Sequence, residues 1–170
     1  MKRMIPRLGH RTLRAALAAC TAALVAGLAL PVAAQTAPEE VFQQYLAAVK
    51  AQDKAAVADL IADEVERSDF PACRPEMSNK QCLLFYIDAT VLSQAGEITV
   101  LRTQVDGDTV RATLALRSQL TRRAGVERAL GTDEVRVRQG RIVAFRFLPD
   151  LADEPTRRFF ASLGIGPGVR

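Results

Sequence analysis

The sequence predicts an α+β domain in which three N-terminal helices pack on a curved antiparallel sheet of about four long strands. Two observations predict this fold class. As far as Gly96, apolar residues recur at spacings of three and four, which is typical of amphipathic helices. From Glu97 onwards apolar and polar residues alternate, which is typical of strands with one buried face. Helices that precede such a meander collect on one face of the sheet, and the curved sheet around them leaves a cavity.

Local signals place the helices. Thr36–Glu39 has the pattern of a capping box with Pro38 at the first helical position, and Ser78–Gln81 has a second capping-box pattern. Asp53 is placed to cap a shorter helix between them. The three predicted helices run from Pro38 to about Lys50, from Asp53 over the apolar positions up to Ile61, and from Ser78 to about Gln94.

The remaining elements follow from turn signals and alternation. Asp106-Gly107 and Gln139-Gly140 are typical of tight hairpin turns, whereas Arg122–Gly125 is typical of a longer loop. Pro155 can begin a short helix that carries Phe159 and Phe160 and ends at Gly164. The predicted long strands cover 98–105, 110–117, 127–138 and 142–148, and 64–70 is predicted to form a short strand.

Residues 1–34 have the three parts of a secretory signal peptide. Five Lys or Arg and no acid occur in the first fourteen residues, followed by the uncharged run AALAACTAALVAGLAL and the small-residue end PVAA. We therefore expect cleavage before Gln35 and a periplasmic or secreted protein with no membrane segment after cleavage. The LAAC pattern leaves a second interpretation open, in which Cys20 is lipidated.

The charge of the chain changes when the predicted signal is removed. Residues 35–170 hold 18 of the 23 Lys and Arg and all 19 Asp and Glu, so their net charge is about −1, and no nucleic-acid partner is predicted. They also lack Trp and, without His10, histidine. A Ser-His-Asp triad, a His-Cys pair and a histidine-ligated metal are therefore excluded, and no cofactor is predicted.

Cys73 and Cys82 are the remaining cysteines, with eight residues between them. In an exported chain this pair predicts a disulfide, which would tie a proline-containing loop to the first turn of the third helix. A metal site would need more ligands, and a redox dithiol would favour C-x-x-C spacing. Closing so short a loop is worth about 2–3 kcal/mol in the chain-entropy model.

Two segments carry a resemblance to a known family. The stretch QYLAAVKAQDKAAVADLIADEVERSDFP resembles the helical opening of the nuclear transport factor 2-like superfamily, and GTDEVRVRQGRIVAFRFLPD is similar to its paired closing strands. The superfamily includes ketosteroid isomerases, SnoaL-like polyketide cyclases and limonene epoxide hydrolases. The resemblance implies a cone-shaped fold with a pocket between sheet and helices, in a superfamily of both enzymes and binding modules.

The ketosteroid isomerases suggest individual roles for three residues. The resemblance implies that Asp69 is a catalytic base, and that Tyr45 and a neutral Asp133 stabilise an enolate oxygen. The phase of Asp133 with Val135 and Val137 places it on the apolar side of a strand, where its pKa should rise. Structural interpretations stay open: Asp133 as a solvated strand end, Tyr45 as a core residue and Asp69 as a turn or capping residue.

Further pocket residues are predicted from helix and strand faces. Phe145 and Phe147 share a face with Val143, as a pocket wall or as the interface of a homodimer formed through the sheet. Nine arginines between 111 and 146 lie mostly on the other face, which is either solvated or a surface for an acidic partner. The predicted pocket residues are Phe42, Tyr86, Phe145 and Phe147.

Three hypotheses about function remain. The first is an exported domain that binds a small hydrophobic molecule in an apolar pocket without catalysis. The second is an enzyme of the ketosteroid isomerase or SnoaL-like kind, in which aspartates act on a hydrophobic carbonyl compound or an epoxide. The third is an interaction module that meets a protein through its sheet. The second hypothesis requires Asp69 and Asp133 to face one cavity near Tyr45.

Overall fold

The computed structural model describes residues 36–70 and 73–165, and all structural statements concern these residues. The predicted signal peptide, its cleavage site and Cys20 lie outside them.

The described residues form an α+β domain, as predicted, with two short helices added to the three expected early in the chain. The helices are α1 (Pro38–Lys50), α2 (Lys54–Leu60), α3 (Asn79–Thr90), α4 (Gln119–Arg123) and α5 (Glu154–Ser162). The strands are β1 (Ile61–Arg67), β2 (Glu97–Asp106), β3 (Thr109–Arg117), β4 (Ala129–Arg138) and β5 (Arg141–Pro149).

The helix starts test the capping predictions. Asp53 caps α2 by accepting a hydrogen bond from the Ala56 backbone N–H at 3.0 Å, and Ser78 and Gln81 form the predicted capping box of α3. The predicted box at Thr36 is wrong, since the residue before α1 is Ala37 and no side chain caps this helix. Pro38 takes the first helical position, so Thr36 lies one residue too early to reach the free amides.

The sheet has five strands in the order β1-β5-β4-β3-β2. The strands β2 to β5 form the predicted antiparallel meander, whereas β1 pairs parallel with β5 and makes the sheet mixed. The sequence indicated β1 as a short strand but not its partner, because a strand seven residues long carries no local sign of what it will pair with. Both hairpin turns are where expected, and Gln139 and Gly140 both have positive φ, as a tight hairpin turn requires.

One short helix replaces the predicted loop after β3. Ser118 and Thr121 form a capping box at the start of α4, both are buried, and Thr121 also donates its hydroxyl to the Ser118 carbonyl at 2.9 Å. The helix α5 begins next to Pro155 and carries Phe159 and Phe160, as predicted. Leu120 of α4 and Phe159 and Phe160 of α5 line the cavity that is described below.

The inner face of the sheet packs against α1 and α3, and a second, smaller cluster joins α5 to the end of β4. None of the described helices combines the length and apolar character needed to cross a bilayer. The largest side chains with no exposed surface are Phe42, Ile61, Leu83 and Ile142 in the main core, and the second cluster contains Val126, Ala129, Phe159 and Phe160.

The predicted disulfide is confirmed. Cys73 and Cys82 are bonded, with 5.3 Å between their Cα atoms, and Cys82 is fully buried in the first turn of α3. The bond therefore ties the loop that follows β1 to the start of a core helix.

Candidate functional site

A cavity of about 310 Å³ lies between α3, α5 and the inner face of the sheet. Its wall is mostly aliphatic and aromatic, with Leu114 and Leu116 from the sheet and Phe159 and Phe160 from α5. Phe85 and Leu163 also line it and are 41% and 43% exposed, so the cavity opens to solvent between α3 and the end of α5. Its volume lies near the lower end of the range of roughly 300–1,000 Å³ found for small-molecule sites.

Asp133 is the carboxylate in this wall. It lies on β4 between Ala112 of β3 and Phe147 of β5, and only 4% of its surface is exposed. Within the described part of the chain, no side chain forms a hydrogen bond or salt bridge with it. Burial raises the pKa of the Asp133 carboxyl to about 7. At neutral pH the group can therefore either donate a hydrogen bond as the acid or accept one as the carboxylate.

Two tyrosines also line the wall, together with Thr90, whose hydroxyl is already bonded to the Tyr86 carbonyl. Tyr45 of α1 is 1% exposed, and Tyr86 of α3 is half-buried. Burial and, after it, the charge of Asp133 raise the pKa of both phenols, so both remain O–H donors at physiological pH. Neither hydroxyl forms a hydrogen bond with any residue of 36–70 or 73–165. Three polar groups without partners therefore face an otherwise apolar space.

Aromatic packing holds the tyrosines in place. The ring of Tyr45 meets Phe145 edge to face, with 5.9 Å between ring centroids, and lies against Phe42 on its other side. The ring of Tyr86 stacks on Phe70, with 3.8 Å between centroids. Tyr45 is therefore held by rings on α1 and β5, and Tyr86 by a ring on the loop after β1. This packing restricts the movement of both hydroxyls.

The structure brings Tyr45 and Asp133 together but places Asp69 elsewhere. The Asp69 side chain is fully exposed, its nearest cationic partner is Arg67 at 3.6 Å, and it does not line the cavity. The chain leaves β1 at Arg67, and the side chain that turns inward is Phe70, on the face of Tyr86. Phe70 stands between Asp69 and Pro71 in the sequence, and its aromatic ring takes the inward position that the family resemblance implied for a base.

Three of the four predicted pocket residues line the cavity and one does not. Tyr86, Phe145 and Phe147 line the cavity, whereas Phe42 is fully buried behind Tyr45 and does not reach it. Val143, which was predicted to share a face with Phe145 and Phe147, does not line the cavity. A bulge in β5 pairs Ile142 with Val137 and Ala144 with Arg136, which leaves Val143 as an extra residue between them.

The sequence predicted Phe159 and Phe160 as helical residues but not as cavity wall. Their helix lies after the last strand, and nothing in its local pattern indicates which part of the sheet it will cover. Gly131 was also missed as a site residue. A side chain there would collide with the ring of Phe147. To predict this from the sequence, one would need to know that residue 131 is a glycine and also that the strand register places it beside Phe147.

The described residues contain no cluster of three His, Cys, Asp or Glu side chains that could hold a metal ion. The arginine-rich surface is partly neutralised, because five of its nine arginines form salt bridges with described acids. These pairs are Arg111–Glu134, Arg117–Glu127, Arg128–Asp153, Arg136–Glu66 and Arg138–Asp108. This pairing is expected of a solvated sheet face, and among the described residues Arg122, Arg123, Arg141 and Arg146 form no salt bridge.

No protein-family model and no curated protein matches this sequence. Solved structures, in contrast, match its fold. The Delta 5-3-ketosteroid isomerase from a Mycobacterium species superposes with a TM-score of 0.54 over 69% of this chain and 96% of its own, at 18% identity. The fold is that of the nuclear transport factor 2-like superfamily.

Other structures with the nuclear transport factor 2-like fold show how widely it is used. A limonene epoxide hydrolase-like (LEH-like) epoxide hydrolase from Mycobacterium tuberculosis matches with a TM-score of 0.52 over 74% of this chain and 93% of its own, at 18% identity. A computationally designed 17-OHP binder matches with the same TM-score over 66% of this chain and 91% of its own, at 17% identity. The fold thus carries isomerisation, hydrolysis and binding in these proteins, and the fold alone does not determine the function of this chain.

Proposed function

We propose that this protein binds a small amphipathic molecule, with an apolar body and one carbonyl or hydroxyl oxygen at its end, in the cavity below α3 and α5. The observation that carries the proposal is that Tyr45, Tyr86 and Asp133, whose polar groups form no hydrogen bond within the described residues, line one mostly apolar cavity.

Energetics favour a ligand with a polar end. None of the three groups forms a hydrogen bond within the described residues, and a ligand that covered one of them without offering a partner would lose roughly 1–3 kcal/mol. A ligand oxygen placed among them would accept hydrogen bonds from the phenols and from protonated Asp133. The aliphatic and aromatic remainder of the wall would bury the ligand's hydrocarbon body at roughly 25 cal/mol per Å². A ligand without the oxygen would gain only the second contribution.

Binding is favoured over isomerisation by the position of the aspartates. Moving a proton between carbons next to a carbonyl needs a base within hydrogen-bond distance of the reacting carbon. Of the carboxylates that the structure describes, Asp133 lines the cavity, and its place beside the tyrosines suits it to hold the oxygen. Asp69 is exposed and cannot reach a ligand there. We therefore expect no isomerisation of an unsaturated steroid ketone. Turnover that is lost in Asp69→Asn would overturn this assignment.

We also propose that the protein acts outside the cytoplasm. The composition of residues 1–34 and the Cys73–Cys82 bond both support export, because disulfides persist in oxidising compartments. N-terminal sequencing of the protein recovered from the periplasm or medium should begin at Gln35. Recovery of the uncleaved chain from the cytoplasm would contradict the proposal.

Binding can be tested by native mass spectrometry with androstanone and androstane, which share their rings and differ by the carbonyl oxygen. The protein should bind androstanone more tightly, on the order of tenfold for one hydrogen-bonded oxygen. Asp133→Leu keeps the side-chain size but removes the polar group, so the preference for the ketone should fall. Equal binding of both compounds, or binding of neither, would overturn the proposed function.

A further inference from the structure

Gly131 and Phe147 are neighbours on the inner face of the sheet. Gly131 of β4 pairs with Pro149 of β5, and Phe147 lies two residues earlier on β5, opposite Asp133. The Phe147 ring leans over Gly131 so closely that a Cβ atom on the glycine would lie 2.4 Å from two ring carbons. Because real Cβ contacts are never that short, the ring can occupy this place only while residue 131 has no side chain.

The place of the Phe147 ring matters for the cavity. The ring packs against the main core and also against the second cluster, where it stacks on Phe160 with 6.1 Å between centroids. The cavity wall draws on both clusters, with Tyr45 from the first and Phe160 from the second. Phe147 thus lies at the junction of the polar end around Asp133 and the apolar end beneath α5.

We propose that Phe147, held over Gly131, limits the size of the ligand's apolar body and keeps the Asp133 carboxyl open to the ligand's polar end. The inference rests on the proposed function and adds that Phe147 determines which ligands fit the same site. With its oxygen at Asp133, a ligand must pass the Phe147 ring to reach the wall formed by Phe159 and Phe160. The ring therefore selects compounds by the length or width of the part that lies beyond their oxygen.

Removing the ring tests the selection directly. Phe147→Ala should shift the preference in a series of methyl ketones, from octanone through decanone and dodecanone to tetradecanone, toward the longer members. Each additional pair of buried methylenes should raise the affinity on the order of tenfold. Phe147→Leu should shift the preference in the same direction by less. Leu148→Ala is the matched control, because Leu148 is the next residue, lies on the opposite face and is 52% exposed.

Adding a methyl group at Gly131 tests how the ring is held. Gly131→Ala should displace Phe147 toward Asp133 or into the cavity, and so weaken binding of every ketone in the series and lower the melting temperature. The double variant Gly131→Ala/Phe147→Ala removes the collision with the ring and leaves the closest of the remaining contacts, a Cβ 3.0 Å from the Leu148 carbonyl oxygen. It should recover binding and melting temperature in part relative to Gly131→Ala, which is a non-additive result.

The outcomes separate the two proposals. If the wild-type protein binds no ketone, the proposed function fails and the inference fails with it. If the wild-type protein binds but Phe147→Ala keeps the same length preference, only the inference fails. Additive effects of Gly131→Ala and Phe147→Ala on melting temperature would also overturn it, since they would show that the two residues do not share space.

Discussion

The ring of Phe70 lies flat on the ring of Tyr86, with 3.8 Å between centroids and 8° between planes. The Cys73 backbone N–H donates a hydrogen bond to the Phe70 carbonyl at 3.3 Å, and Cys82 lies one helical turn before Tyr86 on α3. The disulfide therefore connects the segment that carries Phe70 with the helix that carries Tyr86. A bond outside the cavity wall thus helps to place one of the cavity's polar groups.

Removing the disulfide should affect both stability and ligand binding. We expect Cys73→Ser/Cys82→Ser to lower the free energy of unfolding by about 2–3 kcal/mol, because the unfolded chain regains the entropy that the bond removes. Binding of androstanone should weaken as well, since Phe70 is less restrained against Tyr86. Urea unfolding and native mass spectrometry measure the two effects. A reductant should destabilise the wild type and leave the double variant unchanged. A wild type unaffected by reduction would argue against this role.

Asp133 should make the protein less stable as the pH rises toward neutrality. Its pKa is about 7 in the folded protein and about 3.9 in an unfolded chain. Between these values the folded state binds more protons, so the free energy of unfolding falls as the pH increases and levels off above pH 7. The loss is at most about 4 kcal/mol.

The matched variant for this effect is Asp133→Asn, which is neutral at every pH. The difference in free energy of unfolding between variant and wild type should grow in the variant's favour from about pH 4 to pH 7. Urea unfolding over this range measures it, and taking the difference removes the contributions of other titrating groups. A constant difference would mean that the Asp133 pKa is not raised.

Tyr45→Phe should weaken ligand binding, whereas Asp69→Asn should leave it almost unchanged. The first removes a hydroxyl from the cavity and keeps the ring packing on Phe145, so affinity for androstanone should fall on the order of tenfold. The second changes a fully exposed side chain and should leave affinity within twofold, which corresponds to roughly 0.4 kcal/mol. Calorimetric titration of both variants measures the contrast, and a large loss in Asp69→Asn would contradict the assignment of the site.

Thr156 anchors α5 over the cavity. Its hydroxyl donates to the Asp153 carboxylate and accepts from the Leu130 backbone N–H, both at 2.7 Å, and its side chain is fully buried. Thr156→Val keeps the shape but leaves the Leu130 amide without its partner, which should cost about 1–3 kcal/mol. Hydrogen exchange at Leu130 and along α5 should accelerate. Thr156→Ser keeps the hydroxyl and should exchange like the wild type; equal protection in Thr156→Val would contradict the anchoring role.

Much of the fold could be predicted from local pattern. The caps at Asp53 and Ser78, the hairpin at Gln139-Gly140 and the helix with Phe159 and Phe160 each depend on residues within a few positions of one another. Such features follow from backbone geometry and nearby hydrogen bonds, which act over one turn of chain. The Cys73–Cys82 bond was also predictable, because the predicted mature chain has no other cysteine to pair.

The site was less predictable because it combines distant parts of the chain. The phase of β4 indicated that Asp133 faces inward, but not that Tyr86 and α5 would meet it there. The expected place of Asp69 in the cavity was wrong because Phe70, the next residue, is the side chain that turns inward after β1. A shift of one residue at a strand end reverses the direction in which a side chain points. The alternation of apolar and polar residues does not predict where such a shift occurs.

Local sequence was therefore sufficient for the elements and their order, for the disulfide and for the inward phase of Asp133, since short-range geometry governs all of these. The parallel pairing of β1, the place of α5 over the cavity, the closeness of Phe147 to Gly131 and the exclusion of Asp69 emerged only in the packed chain. They depend on which surfaces remain to be buried once the sheet has formed, and that is a property of the whole domain rather than of any segment.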